Sequence, residues 1–202
     1  MCIRDREIAD RFDEIKQLLM KAENNIRDID TFFDKGHYYS LEDILEEAHT
    51  EIWLFNRIGF NILNTNYSAL EAAIKRGCHI KMIIGSEDAV LLQGKWSRMG
   101  KSGEKYLEEQ QQAIQMAKQL LALSSQENAI SIKTIPVLYS YNATFIDPGS
   151  VNGFFTFTPY SYPSRRDYGW EFKARFSDAE KICSFLIQDF NQTWEKADSL
   201  VL

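Results

Sequence analysis

Histidine, cysteine and proline are scarce in this 202-residue chain, with three, three and four copies respectively. Cys2, Cys78 and Cys183 are far apart, and no C-x-x-C pair or Cys/His cluster occurs. That pattern argues against a structural zinc site or a disulfide framework and points to reduced thiols in a cytoplasmic protein. No apolar run approaches the roughly 20 residues needed to cross a bilayer. The start, MCIRDREIADRFDE, is charged and has no apolar core of a signal peptide. Strong positive charge is also missing. The net charge is −6 and the pI about 5.2, which disfavours a broad nucleic-acid footprint without excluding a local basic patch. Walker, G-x-G-x-x-G, H-E-x-x-H and G-x-S-x-G motifs are all lacking, and no metal or cofactor is implied.

What is present is a pattern of alternating helices and short strands. Residues 7–33 carry Ile8, Phe12, Ile15, Leu19, Ala22, Ile26, Ile29 and Phe33 at steps of three or four, which predicts one long amphipathic helix. It reads as a helix packed on its own domain, a dimerising helix, or a connector from an upstream domain, and residues 7–36 form a segment of their own. Residues 1–6, MCIRDR, resemble the translated adapter scars at the ends of fragmentary metagenomic genes, so a bacterial metagenomic origin and an artefactual start are expected. From residue 37 onward the order is a short helix capped by Ser40, a strand at 51–56, a helix at 66–77 and a strand at 79–85. A polar loop (86–102), a long helix (103–124), strands near 129–137, 142–148, 152–160 and 170–176, and a last helix (178–197) follow. A β–α–β unit leading into a strand-rich second half predicts an α/β fold. Its sheet is expected to be mixed and mostly parallel, flanked by helices.

Four stretches in this order resemble a phospholipase D-like domain: SLEDILEEAHTEIWLFN, ALEAAIKRGCHIKMIIG, ATFIDP with GFFTFTP, and WEFKARFSDAEKICSFLIQDFNQTWEKA. The resemblance implies a single phospholipase D-like domain over residues 37–202. Active members carry H-x-K-x-x-x-x-D followed by a G-S-x-x-N element, with the histidine as nucleophile on phosphorus and the lysine among the groups holding phosphate oxygens. Aligned on Asp147, the histidine position holds Ser140 and the lysine position Asn142, and no histidine lies after His79. The missing nucleophile and cation remove covalent catalysis and charge stabilisation together. The conspicuous GSVN at 149–152 comes too soon after Asp147 and reads as a turn. The expected position of the G-S-x-x-N element falls instead near Thr156 and Thr158, and Glu171 fits the family's later glutamate strand.

The resemblance therefore implies a degenerate pocket formed by Ser140, Asn142, Asp147, Thr156, Thr158 and Glu171. Arg165 and Arg166, with Asn56 and Arg57, are candidate anion-binding groups. Tyr139, Tyr141, Tyr160, Tyr162, Tyr168 and Trp170 crowd the same stretch, either as stacking surfaces or as packing. The expected function is a catalytically inactive regulatory, ligand-sensing or protein-interaction module, part of a larger protein or a homodimer formed through helix 7–33. The alternatives are a divergent phosphodiesterase or nuclease and a module that retains phosphate or nucleotide affinity.

Overall fold

The computed structural model describes residues 41–93, 102–124, 129–139, 141–159, 172–177 and 180–200. Helix 7–33, Ser140, Glu171, Arg165 and Arg166 fall outside the described residues.

The framework begins with α1 (Leu41–Glu46) and β1 (Glu51–Phe55). EIWLF is apolar and β-favouring, and its last four residues are buried, as a central strand covered on both faces requires. After β1 come α2 (Phe60–Thr65) and α3 (Tyr67–Lys75), then β2 (His79–Gly85). Helix α3 ends as its Gly predicts. Gly77 adopts φ 97°, and the amides of Gly77 and Cys78 donate to the carbonyls of Ile74 and Ala73, closing the last turn through a left-handed glycine. The chain continues through α4 (Glu87–Gln93), α5 (Gly103–Leu123), β3 (Ile130–Ile135), β4 (Tyr141–Ile146), β5 (Phe154–Pro159), β6 (Phe172–Arg175), α6 (Glu180–Lys196) and β7 (Asp198–Leu200).

The strands form one sheet in the order β6-β5-β4-β1-β2-β3-β7. The mixed sheet and flanking helices are as expected. Parallel pairing, however, is confined to β1–β2 and β2–β3, and the other four interfaces are antiparallel, so the sheet is not mostly parallel. Connection length explains the difference. Helices link β1, β2 and β3, whereas β4 and β5 are joined by a tight turn that can only reverse direction.

Three elements depart from the sequence reading. Phe60–Thr65 is helical where a loop is expected. Glu87–Gln93 forms a helix inside the expected polar loop, where the amide of Val90 donates to the carbonyl of Ser86. Asp198–Leu200 adds an edge strand, too short and polar to show a period of its own.

Each face of the sheet has its own core. Ile52, Leu54, Ile80, Met82, Ile132, Ile146 and Phe154 pack under α1, α2, α3 and α5. Trp53, Phe55, Ile83, Phe145, Phe155 and Phe157 pack under α6. The α6 residues Ile182, Leu186 and Phe190 recur at four-residue steps, giving the buried stripe of an amphipathic helix. Phe190 stacks on Trp53 at 4.7 Å and meets Phe55 and Phe145 edge-on.

Candidate functional site

Strand pairing decides which of the sequence-predicted residues meet. Successive residues of a strand point to opposite faces. Ile146 and Phe154 belong to the core under α1, α2, α3 and α5, so Asn142 and Thr144 share that face with Ile146, and Thr156 and Thr158 share it with Phe154. The β4–β5 register sets Asn142 opposite Thr158 and Thr144 opposite Thr156. The β1–β4 register runs up to Phe55 opposite Ala143, so Asn56 and Asn142 are the next positions on their strands. Asn56, Asn142 and Thr158 therefore form a polar row across three adjacent strands. Thr144 and Thr156 form the row behind it and are buried. Together they occupy the carboxyl end of β1, where the parallel half of the sheet meets the antiparallel half. Open α/β sheets gather ligands at the carboxyl ends of their parallel strands.

The chemistry of this surface is neutral. Amides and hydroxyls both donate and accept hydrogen bonds, and none of these side chains is ionised. The Oδ1 of Asn142 is buried and has no hydrogen-bond partner, which is uncommon for a buried polar atom. Asn56 uses its Oδ1 to accept from the amides of Ile58 and Gly59, at 3.3 and 3.0 Å, and so shapes the turn that leaves β1. Arg57 donates from Nε to the carbonyl of Tyr139 at 2.8 Å. That bond ties the β1–α2 turn to the segment entering β4.

Asp147 does not join the row. It lies past the other end of β4, about 17 Å from Asn142 at the rise of an extended strand. Its carboxylate accepts from the amides of His49, Thr50 and Glu51 and from the Thr50 hydroxyl, at 2.7 to 2.9 Å. Burial alone pushes its pKa up, but these four hydrogen bonds outweigh that effect and hold it below the ordinary carboxylate value. Asp147 thus braces the entry to β1 and has no place in a pocket at the opposite end of the strand. The GSVN segment is a turn, with Gly149 at φ 102° and the Ser150 amide bonded to the Asp147 carbonyl.

Of the tyrosines crowding 139–168, Tyr139 and Tyr141 lie within the described residues and are packing groups on the α6 face. Tyr141 donates to Asp189 and Tyr139 bonds Thr193, both at 2.8 Å. Two residues near the site escaped the sequence reading. Thr144 lies between positions 142 and 146, and its alternation with Asn142 is the signal that finds it. Gln110 is buried on α5 and donates to the Gly85 carbonyl at 2.7 Å. Its polarity within a helical stripe of Tyr106, Ala113 and Ala117 is the only local hint. Among the described residues no three His, Cys, Asp or Glu side chains form a metal-sized cluster, and no helix is long and apolar enough to cross a membrane.

No protein-family model and no curated protein matches the chain. Solved structures similar to it include TrmBL2, an archaeal chromatin protein with a novel mode of DNA binding, at 16% identity and a TM-score of 0.49. That alignment covers 98% of this chain and 65% of the other. Another is Nuc from Salmonella typhimurium, a phospholipase D family member, at 13% identity and a TM-score of 0.44, covering 80% of this chain and 89% of the other.

Proposed function

We propose that this chain is a phospholipase D-like domain that has lost the family's catalytic groups and acts as a regulatory, ligand-sensing module within a larger protein or a homodimer. The observation that carries the proposal is the polar row at the carboxyl end of β1. The family motif calls for a nucleophile and a cation at positions 140 and 142. Position 142 instead presents a neutral amide paired across the sheet with Thr158. Phosphoryl transfer without metal depends on a nucleophile, a proton donor and positive charge on the phosphate oxygens, and amides and hydroxyls supply none of these at full strength. The motif's aspartate remains, but at Asp147 it holds backbone amides. A scaffold that keeps its brace while its reactive positions are neutral suits binding better than turnover.

The test is a phosphodiesterase panel of bis-p-nitrophenyl phosphate, single-stranded DNA and a phospholipid, run with the wild type and with Ser140→Ala and Asn142→Ala. No turnover above background is expected from any of the three. Hydrolysis that either substitution abolishes would overturn the proposal.

A further inference from the structure

We infer that residues 7–33 pair with the same segment of a second copy of this chain as an antiparallel two-helix coiled coil. The segment lies outside the described residues, and its sequence pattern carries the inference. Ile8, Phe12, Ile15, Leu19, Ala22, Ile26, Ile29 and Phe33 alternate steps of four and three without a break. A period of about 3.5 residues sustained over this length is the seam of a coiled coil, whereas a helix lying on a globular core carries a broader stripe. The described helices offer that seam little to rest on. Glu42 and Glu46 on α1, Glu108 and Gln115 on α5, and Gln188 and Gln192 on α6 are exposed. Exposed apolar side chains occur there too, as Leu91 and Leu92 on α4 and Phe185 on α6. None of the described helices carries a continuous stripe of them. The occupant that matches the seam is the seam itself, on a partner copy. This gives the homodimer in the proposed function its contact and does not depend on the absence of catalysis, so the phosphodiesterase panel and the experiment below fail separately.

Charge and volume select the orientation. Written as heptads, the a positions are Phe12, Leu19, Ile26 and Phe33, and the d positions are Ile8, Ile15, Ala22 and Ile29. In a parallel pair each residue of the seam meets its own copy, and a g position flanks the partner's next e position. Ala22 would then face the partner's Ala22, leaving a void in the centre of the seam, and Arg11 would flank the partner's Lys16, like charge on like. In an antiparallel pair a packs against d and e flanks e. Full overlap then sets Leu19 against the partner's Ala22 and Phe12 against the partner's Ile29, a large side chain beside a smaller one. It also sets Lys16 beside the partner's Glu23, an attractive pair that the two-fold axis repeats. The two domains that follow the helices are thereby carried to opposite ends of the pair.

The experiment is sedimentation equilibrium of the full chain at low salt, with charge variants that leave the seam intact. The wild type is expected at twice the chain mass. Lys16→Glu should weaken the dimer Kd about tenfold, because two attractive pairs become repulsive, and the double variant Lys16→Glu, Glu23→Lys should restore it. A parallel pair gives the opposite sign, since Lys16→Glu would there meet Arg11 and tighten the dimer. Cross-linking reads the orientation directly. In a Cys2→Ser background, chains with Phe12→Cys and chains with Ile29→Cys are mixed and oxidised with copper phenanthroline. The mixture should give a disulfide-linked dimer of one chain of each kind, and Phe12→Cys alone should give none, because its two cysteines would sit about 25 Å apart along the axis at 1.5 Å per residue. A monomer, a trimer or tetramer, a dimer that Lys16→Glu tightens or leaves unchanged, or a Phe12→Cys chain that cross-links to itself overturns the inference.

Discussion

Replacing Asp147 with alanine should be among the most damaging single changes available in the described part of this chain. The carboxylate gathers four hydrogen bonds from residues about a hundred positions earlier in the sequence. Three of those donors are consecutive backbone amides, which lose their partner together once the carboxylate is gone. Hydrogen bonds to a charged acceptor contribute about 1.5–3 kcal/mol each. They share one acceptor group, so their losses do not add, and water recovers part of the cost at the strand entrance. A total of about 3–5 kcal/mol is expected. The backbone adds a smaller penalty, because Asp147 has φ 47°, a left-handed conformation that aspartate tolerates better than alanine. At about 2–4 °C per kcal/mol for a chain of this size, the thermal midpoint should fall by roughly 10–15 °C.

Asp147→Asn keeps the shape but turns one acceptor into a donor facing the amides, and about half the loss is expected. The same pair reports the titration. The folded pKa of Asp147 is depressed, so its stabilisation is fully present above the unfolded value of about 3.9 and is lost as pH falls through the folded one. The midpoint gap between wild type and Asp147→Asn, followed by circular dichroism, should therefore be widest near pH 7 and narrow below about pH 4. A drop of less than about 2 °C for the alanine variant, or a gap unchanged between pH 7 and pH 3, would refute the bracing role.

Phe190→Ala should cost about 3–5 kcal/mol, because the ring is buried and touches Trp53, Phe55 and Phe145; urea unfolding checks it. Gly153→Ala should destabilise by more than the usual glycine change. An added Cβ would sit 2.7 Å from the Ile146 carbonyl oxygen and from the Phe176 ring and would also press on the Asp147 carbonyl, and a thermal midpoint within about 2 °C of wild type would contradict this. Arg57→Ala should lower stability by about 1–2 kcal/mol and speed amide exchange in residues 136–141, since the bond from Nε to Tyr139 is lost. Cys78 and Cys183 are buried, and burial raises the Cys78 thiol pKa. In a Cys2→Ser background, dithionitrobenzoate should therefore react with neither thiol in native buffer and with both in denaturant.

The parts of this fold that could be read in the sequence are those with a period. β1, β2 and β3 are short apolar runs bounded by polar turns, α5 and α6 carry clear stripes, and Gly77 stops α3 through a conformation that only glycine adopts at low cost. The missed elements lack such signals. α2 and α4 are short helices set beside glycines and polar residues, and β7 gains its identity by pairing Ser199 with Lys133, a contact that links distant positions and leaves no local trace. The balance of parallel and antiparallel pairing was hidden for the same reason, because β4 chooses the free side of β1 through tertiary packing. The site divides along similar lines. Asn142, Thr156 and Thr158 could be located by counting from Asp147, because spacing within two adjacent strands survives folding as register. Asp147 itself misled, since counting gives separation along the strand but not what the carboxylate meets at its end. Its partners, His49 to Glu51, lie at the entry to the first strand, and only the β1–β4 pairing brings them within reach. Asn142 and Asp147 thus lie at opposite ends of β4, the first in the polar row beside Thr158 and the second as the brace at the entry to β1.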